Sequence, residues 1–315
     1  MFKHIMVPLD GSQQAEQALP IAARIARATK GSLLLANVVT TTVEIGLYPD
    51  KYAFARQEER LEADHDAATY YLTEVTYKEE LAGLNVELEV LSGDPAERIL
   101  SLVDSESIDL IVMCRHGATA SEHWTLGRTA QKVARHSSVP VLLISANDNA
   151  SMKLTKPGAV SALICLDGSS TAEEVLVPAA NLVTALSESE PGALYLVHVV
   201  APKEEGKYGS AEQVKDAEET YLKEVADRVR NMMPDFKLSI SARVIPANDV
   251  AKALVTLAEH CIEGTGTSDT GAFGMIALVT HGRGGIKRWV IGSIAERVLH
   301  STKLPLLIVR PQPKK

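Results

Sequence analysis

The chain has 315 residues, 46% of them hydrophobic and 23% charged, with 32 Lys and Arg against 40 Asp and Glu. That length is about twice the ~150 residues of an average domain, and the apolar share is ample for two cores. A net charge of −8 and only 4% aromatics argue against a phosphate-neutralising surface or a base-stacking platform, and no apolar run approaches the ~18 residues of a membrane span.

In chain order, 5–9, 32–39, 86–91, 110–114 and 139–144 are short apolar runs rich in β-branched residues, and they predict strands. Between them, 13–29, 56–82, 95–106 and 128–137 carry helical spacing with charged faces. The polar stretch 147–158, ending in Lys156-Pro157-Gly158, predicts a linker. A second series of strands follows at 161–166, 193–200, 238–245, 275–280 and 304–309. Strands alternating with helices predict parallel βαβ units. The expected fold is therefore α/β: two repeated open five-stranded parallel-sheet, Rossmann-like domains with helices on both faces, 1–146 and 159–315.

The two series are copies of one unit. Ile5-Met6-Val7-Pro8-Leu9-Asp10-Gly11-Ser12 returns as Leu163-Ile164-Cys165-Leu166-Asp167-Gly168-Ser169, 157 residues on for the shared Asp-Gly-Ser. His116-Gly117, Trp124, Gly127 and Pro140 return as His281-Gly282, Trp289, Gly292 and Pro305, 165 residues on. The extra eight residues fit the Gly/Thr/Ser-rich stretch 263–271, a surface-loop insertion.

Open α/β sheets bind ligands beyond the carboxyl ends of their strands. The Asp-Gly-Ser turn lies there in both copies. It reads either as a turn with a helix-capping serine or as a ligand contact through a free aspartate carboxylate. The loop after the fourth strand ends in Gly292-Ser293 at a helix start, where free N–H groups, a hydroxyl and the positive dipole end suit a phosphate chain. Gly282 permits close backbone approach. No Walker lysine accompanies it.

With these motifs in place, and with the Ser92-Gly93-Asp94-Pro95-Ala96 turn and the strand Asp109–Met113 in the same order, the sequence resembles the universal stress protein family across both halves. The resemblance implies adenine-nucleotide binding through Gly-x2-Gly-x9-Gly-[Ser/Thr], with the base near the tips of strands one and two. In copy two it implies Leu166, Asp167, Val199, Gly282, Gly292, Ser293 and Ile294; in copy one, Pro8, Leu9, Asp10, Val38, Gly117, Gly127, Arg128 and Thr129. Both copies depart at the first glycine, Cys114 and Val279. Copy one also has Arg128 for the Ser/Thr, which either fills the anion site or meets a phosphate charge. ATP, with nucleotide-borne Mg2+, is thus expected more in repeat two than in repeat one. The implied role is sensing or signalling, with a slow ATP hydrolase and an interaction scaffold with degenerate nucleotide sites as alternatives. The resemblance also implies pairing of 139–144 with 304–309 as an intrachain pseudo-dimer, which leaves a further homodimer open, and an unidentified protein partner.

The remaining chemistry-bearing residues read plainly. Cys114, Cys165 and Cys261 lack metal-ligand spacing and the N-terminus lacks a signal-peptide pattern, so a cytoplasmic protein with neither nucleic acid nor membrane as partner is expected. Cys114 and Cys165 read as buried structural thiols, with Arg115 leaving a redox role open. His116 and His281 read as surface-loop histidines rather than bases. No resident metal site is expected. The charges of 56–80 and 211–230 read as solvated helix faces, and Trp124 and Trp289 as packing between the halves. The loops 40–52, 200–210 and 264–271 are candidates for ordering by ligand.

Overall fold

The structure, a computed structural model, describes residues 1–40, 53–117, 126–145, 149–187, 190–201, 211–260, 273–281 and 291–311. The chain divides into two compact units, Phe2–Val133 and Ala134–Lys315 with Met1.

The first unit contains β1 (His4–Leu9), α1 (Gln13–Glu16), α2 (Ala18–Thr29), β2 (Ser32–Val39), α3 (Ala53–Thr76), β3 (Val86–Ser92), α4 (Pro95–Ser105) and β4 (Leu110–Cys114). Its strands are parallel in the order β3-β2-β1-β4. Ile5, Met6 and Val7 of β1, Leu33 and Leu35 of β2, and Leu110, Ile111 and Val112 of β4 are fully buried. Successive side chains on a strand point to opposite faces, so burial of consecutive residues means that both faces are covered. This is why the strands read as continuous apolar runs rather than as alternation.

Helix α5 (Arg128–His136) carries the boundary between the units. The second unit then contains β5 (Val141–Ile144), α6 (Asn149–Thr155), β6 (Ser161–Leu166), α7 (Leu176–Leu186), β7 (Gly192–Val200), α8 (Ala211–Met232), β8 (Leu238–Pro246), α9 (Val250–His260), β9 (Met275–Val279), α10 (Ser293–Ser301) and β10 (Leu306–Val309). Its strand order is β5-β10-β9-β6-β7-β8. All are parallel except β5, which runs antiparallel to β10.

Several boundaries differ from expectation for identifiable reasons. The predicted helix 13–29 is broken at Gln17 into α1 and α2. Pro20 lacks the N–H that would reach the Glu16 carbonyl, and its ring crowds that carbonyl, so a helix can begin near Pro20 but not run through it. Pro178 sits equally near the start of α7, behind the 3-10 turn Ala172–Val175. The last strands begin at Val141 and Leu306 rather than at 139 and 304, beyond Pro140 and Pro305, which have no N–H for a ladder. The predicted helix 56–82 stops at Thr76 and is followed by the 3-10 turn Glu79–Leu81. The stretch 147–158 contains α6, which is anchored by the fully buried Leu154.

The expected pairing of the two last strands is present. Leu306 faces Leu143, Leu307 faces Leu142 and Ile308 faces Val141. Leu142 and Leu307 hold the same place in the two copies, so the ladder has a local twofold relation centred on that pair. Both are fully buried. Leu142→Ala and Leu307→Ala are each expected to destabilise the fold by about 2–5 kcal/mol, the range for a buried leucine. Because the two positions are neighbours, the double variant should fall short of the sum by about 0.5 kcal/mol or more. Urea unfolding of the three variants checks this, and strict additivity would refute the shared packing.

Candidate functional site

The carboxyl ends of β1 and β6 carry the same turn, built the same way. Gly11 and Gly168 adopt φ of +82° and +80°, a left-handed conformation that side chains disfavour. This turns the chain so that the following serine reaches back. In the first unit, the Ser12 N–H and hydroxyl donate to Asp10 Oδ1 at 3.1 and 2.6 Å, and Ser12 Oγ accepts from Ala15 N at 3.2 Å, capping α1. In the second, Ser169 donates to Asp167 Oδ1 at 3.0 and 2.5 Å and accepts from Ala172 N at 3.1 Å. The aspartates are therefore not free at the strand tips, as the sequence suggested. One carboxylate oxygen of each is held by its own turn. Val38 and Val199 stand one residue beyond the partners of Leu9 and Leu166, which are Asn37 and His198, so each valine is level with its aspartate.

In the first unit the chain leaving β4 meets this turn. A Cβ on Gly117 would fall 2.0 Å from Asp10 Oδ2. The glycine thus makes its close approach to the aspartate of its own unit, where the sequence suggested approach to a ligand. Gly127 donates its N–H to the Arg115 carbonyl, and Gly292 donates to the Thr280 carbonyl, both at 2.7 Å. These N–H groups were expected to face a phosphate. They instead tie the end of the loop to the strand it left. Gly292 caps α10 with φ −61° and ψ 146°, and the next N–H groups, of Ser293, Ile294 and Ala295, precede the first intrahelical donor, Glu296, which bonds to the Gly292 carbonyl. Ser293 and Ile294 are exposed, as is Arg128 at the corresponding start of α5, while Thr129 is half-buried. Pro8, Leu9 and Leu166 are buried strand residues beneath the turns. Gly282, Trp124 and Trp289 lie outside the described residues, as do Cys261 and most of the loops 40–52, 200–210 and 264–271.

The residues at the first-glycine position turn inward. Cys114 is buried, and its thiol donates to the Gln14 carbonyl at 2.6 Å. Burial first, and the Asp10 charge second, push this thiol up to about 12. Burial alone does the same for Cys165. Neither is a thiolate near neutrality, and Arg115 does not activate its neighbour. Val279 is likewise buried.

Three polar devices around the tips were not singled out by the sequence. The Tyr71 phenol of α3 donates to Glu16 Oε1 at 3.0 Å, and Lys78 Nζ holds Glu16 Oε2 at 2.8 Å. In the second unit, Glu173 lies beside Tyr221 and bonds Arg228. Burial, then the neighbouring glutamate, raises both phenols above their ordinary value. Second, Asp94 and Asp249 cap α4 and α9, accepting from Glu97 N and Lys252 N. Their other oxygens meet Lys132 of α5 at 3.2 Å and Arg297 of α10 at 2.6 Å. Third, His198 in β7 is buried with Nδ1 2.8 Å from Glu218 of α8, whereas the first unit has Asn37, whose amide donates to the Leu9 carbonyl at 3.0 Å. Tyr71 with Tyr221, and Lys78 with Arg228, recur 150 residues apart. A search at that spacing would have found the first device.

His116 and His281 are half-buried, and the Nε2 atom of each is buried without a hydrogen bond, so neither is a plain surface histidine. Among the described residues no group of three or more His, Cys, Asp or Glu is placed to hold a metal, and no helix is long and apolar enough to cross a membrane. A shallow cavity lined by Val229, Met233, Phe236 and Leu238 opens at the start of β8, the end of the strand remote from the tips.

A sequence profile of the universal stress protein family matches residues 1–145 and 267–310, and the second stretch contains Val279 to Ser293. A universal stress protein of Thermus aquaticus is 34% identical over 46% of this chain and 99% of its own. One from Mycobacterium tuberculosis is 22% identical over 97% of this chain and 96% of its own. Among solved structures, a universal stress protein from Archaeoglobus fulgidus shares the fold with a TM-score of 0.68 and 19% identity, covering 98% of both chains.

Burial first, and the Arg310 charge second, lower the affinity of His281 for a proton in the folded chain. The unfolded chain protonates this residue at the ordinary value near 6.5. The unfolded state thus binds more protons as pH falls below that value, and stability is lost there until the lowered folded value is passed. His281→Gln should flatten this acid-side loss and leave stability at pH 8 nearly unchanged. Thermal unfolding of both proteins from pH 8 to pH 5 checks it, and parallel curves would refute the assignment.

Proposed function

The chain belongs to the universal stress protein family, and from that membership we propose that it binds ATP or a related adenine nucleotide at the carboxyl ends of its strands and acts by sensing or signalling rather than by turnover. The observation that carries the reading is the doubled construction of the tips. In each unit a serine-held aspartate, a glycine hydrogen-bonded back to its strand and the start of a nine-residue helix come from the same places in the repeat. Unpaired N–H groups at a helix start, with the positive end of the dipole, are suited to a phosphate. The residues present fit such a ligand in repeat two, where the Ser293 hydroxyl and the Ile294 side chain are exposed at the head of α10.

In this reading Asp167, Leu166 and Val199 border the base and ribose. Ser293, Ile294 and the loop containing Gly282 receive the phosphates. Gly292 acts by holding the loop closed rather than by donating to the ligand. In repeat one, Asp10, Pro8, Leu9 and Val38 border the base, and Gly117, Gly127, Arg128 and Thr129 take the phosphate side. Arg128 replaces the serine hydroxyl there, and we assign the weaker site to that half. Mg2+ would arrive with the nucleotide. In this reading the segments that follow the tips would expose the nucleotide state to a protein partner without hydrolysis. Cytoplasmic location stays part of the proposal.

Ser293→Glu separates this reading from its alternatives. A carboxylate in the first turn of α10 favours the helix dipole, so stability should hold or rise. The same charge opposes phosphate, and ATP affinity at the stronger site should fall tenfold or more. Calorimetry on the wild type and on Ser293→Glu and Thr129→Glu should show two unequal sites, with the larger loss in Ser293→Glu. Unchanged affinity in that variant would refute the phosphate assignment, and two indistinguishable wild-type sites would refute the asymmetry.

A further inference from the structure

We propose that Arg297 is a phosphate-binding residue of repeat two, and that in the ligand-free chain the Asp249 carboxylate holds its guanidinium in place of a phosphate. The inference rests on the nucleotide reading above and adds to it a cation for the phosphate side. Arg297 stands four residues after Ser293 on α10. That spacing puts the two side chains on one face of the helix, with Cβ atoms about 5–6 Å apart. Both residues are exposed. Cα–Cβ bonds in a helix tilt toward its amino end, so the side chain of Arg297 covers the first turn. The N–H groups of Ser293, Ile294 and Ala295 lie in that turn, ahead of the first intrahelical donor. The guanidinium is fixed by a contact outside the helix, where its Nη2 donates to Asp249 Oδ2 at 2.6 Å.

Asp249 belongs to the start of a different helix, α9, which packs against α10. Its Oδ1 accepts from Lys252 N at 3.0 Å, so one oxygen meets a helix start and the other a cation. The Arg297 guanidinium first, and the Lys252 N–H second, hold the Asp249 carboxyl below the usual carboxylate range. Both partners are open to solvent, with side-chain exposures of 56% for Arg297 and 41% for Asp249. An exposed pair of this kind contributes little to folding and exchanges readily. A guanidinium fork receives carboxylate and phosphate oxygens in the same geometry. A phosphate at the head of α10 therefore competes for the group that Asp249 holds. Repeat one builds the same pair around a point charge. Lys132 stands four residues after Arg128, and its Nζ lies 3.2 Å from Asp94 Oδ2, while Asp94 Oδ1 accepts from Glu97 N. A lysine lacks the fork, which agrees with the weaker site assigned to that half.

Two substitutions break this pair with opposite effects on a phosphate. Asp249→Asn keeps a good helix cap but frees the guanidinium and removes a negative charge beside it. Arg297→Gln removes the cation and leaves the carboxylate. Calorimetry on the full chain with ATP, inorganic tripolyphosphate and adenosine reads the difference. At the stronger site Arg297→Gln should weaken ATP and tripolyphosphate about tenfold, the loss of a hydrogen bond to a charged group. Asp249→Asn should tighten both about threefold, the release of an exposed ion pair. Arg297→Lys should fall between Arg297→Gln and wild type. Adenosine should bind all four proteins within about twofold, and their melting temperatures should agree within a few degrees. Equal weakening of ATP by Asp249→Asn and Arg297→Gln overturns the proposal, because a pair that merely braces two helices makes no distinction between its members. Unchanged ATP affinity in Arg297→Gln, or an equal loss for adenosine, also overturns it. In each of these cases a wild type that binds ATP leaves the nucleotide reading standing. Wild-type protein that binds neither ATP nor tripolyphosphate overturns that reading and this role together.

Discussion

Burial of the inner strands on both faces is the constraint on which everything else in this chain depends. Where β1, β4, β6 and β9 are covered above and below, all side chains along them but His4, Ser161 and Cys165 are withdrawn from solvent chemistry. Polar function is confined to the places where the strands stop. Because neighbours in these ladders run parallel, several stops fall at one edge, and the turns there carry Asp10, Gly11 and Ser12 on one side and Gly117 and Gly127 on the other. The core does not merely support the site. It decides that the site can be nowhere else along these strands.

The two repeats meet that constraint with the same devices but not the same residues. A lysine and an arginine each hold the glutamate beside a tyrosine, and another lysine and arginine each hold a capping aspartate. These substitutions preserve a charge and little else, which fits exposed pairs that contribute modestly to stability. The departures lie at the strand tips and helix starts. Arg128 stands where Ser293 does, and Asn37, bonded to a backbone carbonyl, stands where buried His198 meets Glu218. The scaffold tolerates either, because neither change alters the turn or the loop closure.

Much of this was legible from the residues. The apolar runs placed ten strands to within a residue or two, and the recurrence of Asp-Gly-Ser and His-Gly marked the edge at which the doubled turns lie. What escaped was whatever depends on a contact distant in sequence. Nothing local in Asp10-Gly11-Ser12 says that Gly117 arrives against the carboxylate, or that Gly292 spends its N–H on Thr280. The tyrosine clusters escaped for a different reason: their spacing of 150 residues differs from the 157 and 165 of the marked motifs, so they fall out of register with both. The helix in 147–158 was hidden by its polar composition, since a single buried leucine suffices to anchor two turns.

The ladder between β5 and β10, centred on Leu142 and Leu307, has one more consequence. Two equivalent strands on separate molecules would find each other only as often as their concentration allows. Within one chain each is presented to the other at an effective concentration on the order of millimolar, fixed by the intervening residues rather than by the cell. Dilution cannot undo such a pairing. A substitution that weakened one strand would be met by an undiminished partner, whereas in a symmetric assembly it would strike both strands at once. Joining the copies therefore releases each half from having to remain a good partner to an identical self, and leaves one set of tips free to drift in chemistry while the other keeps its own.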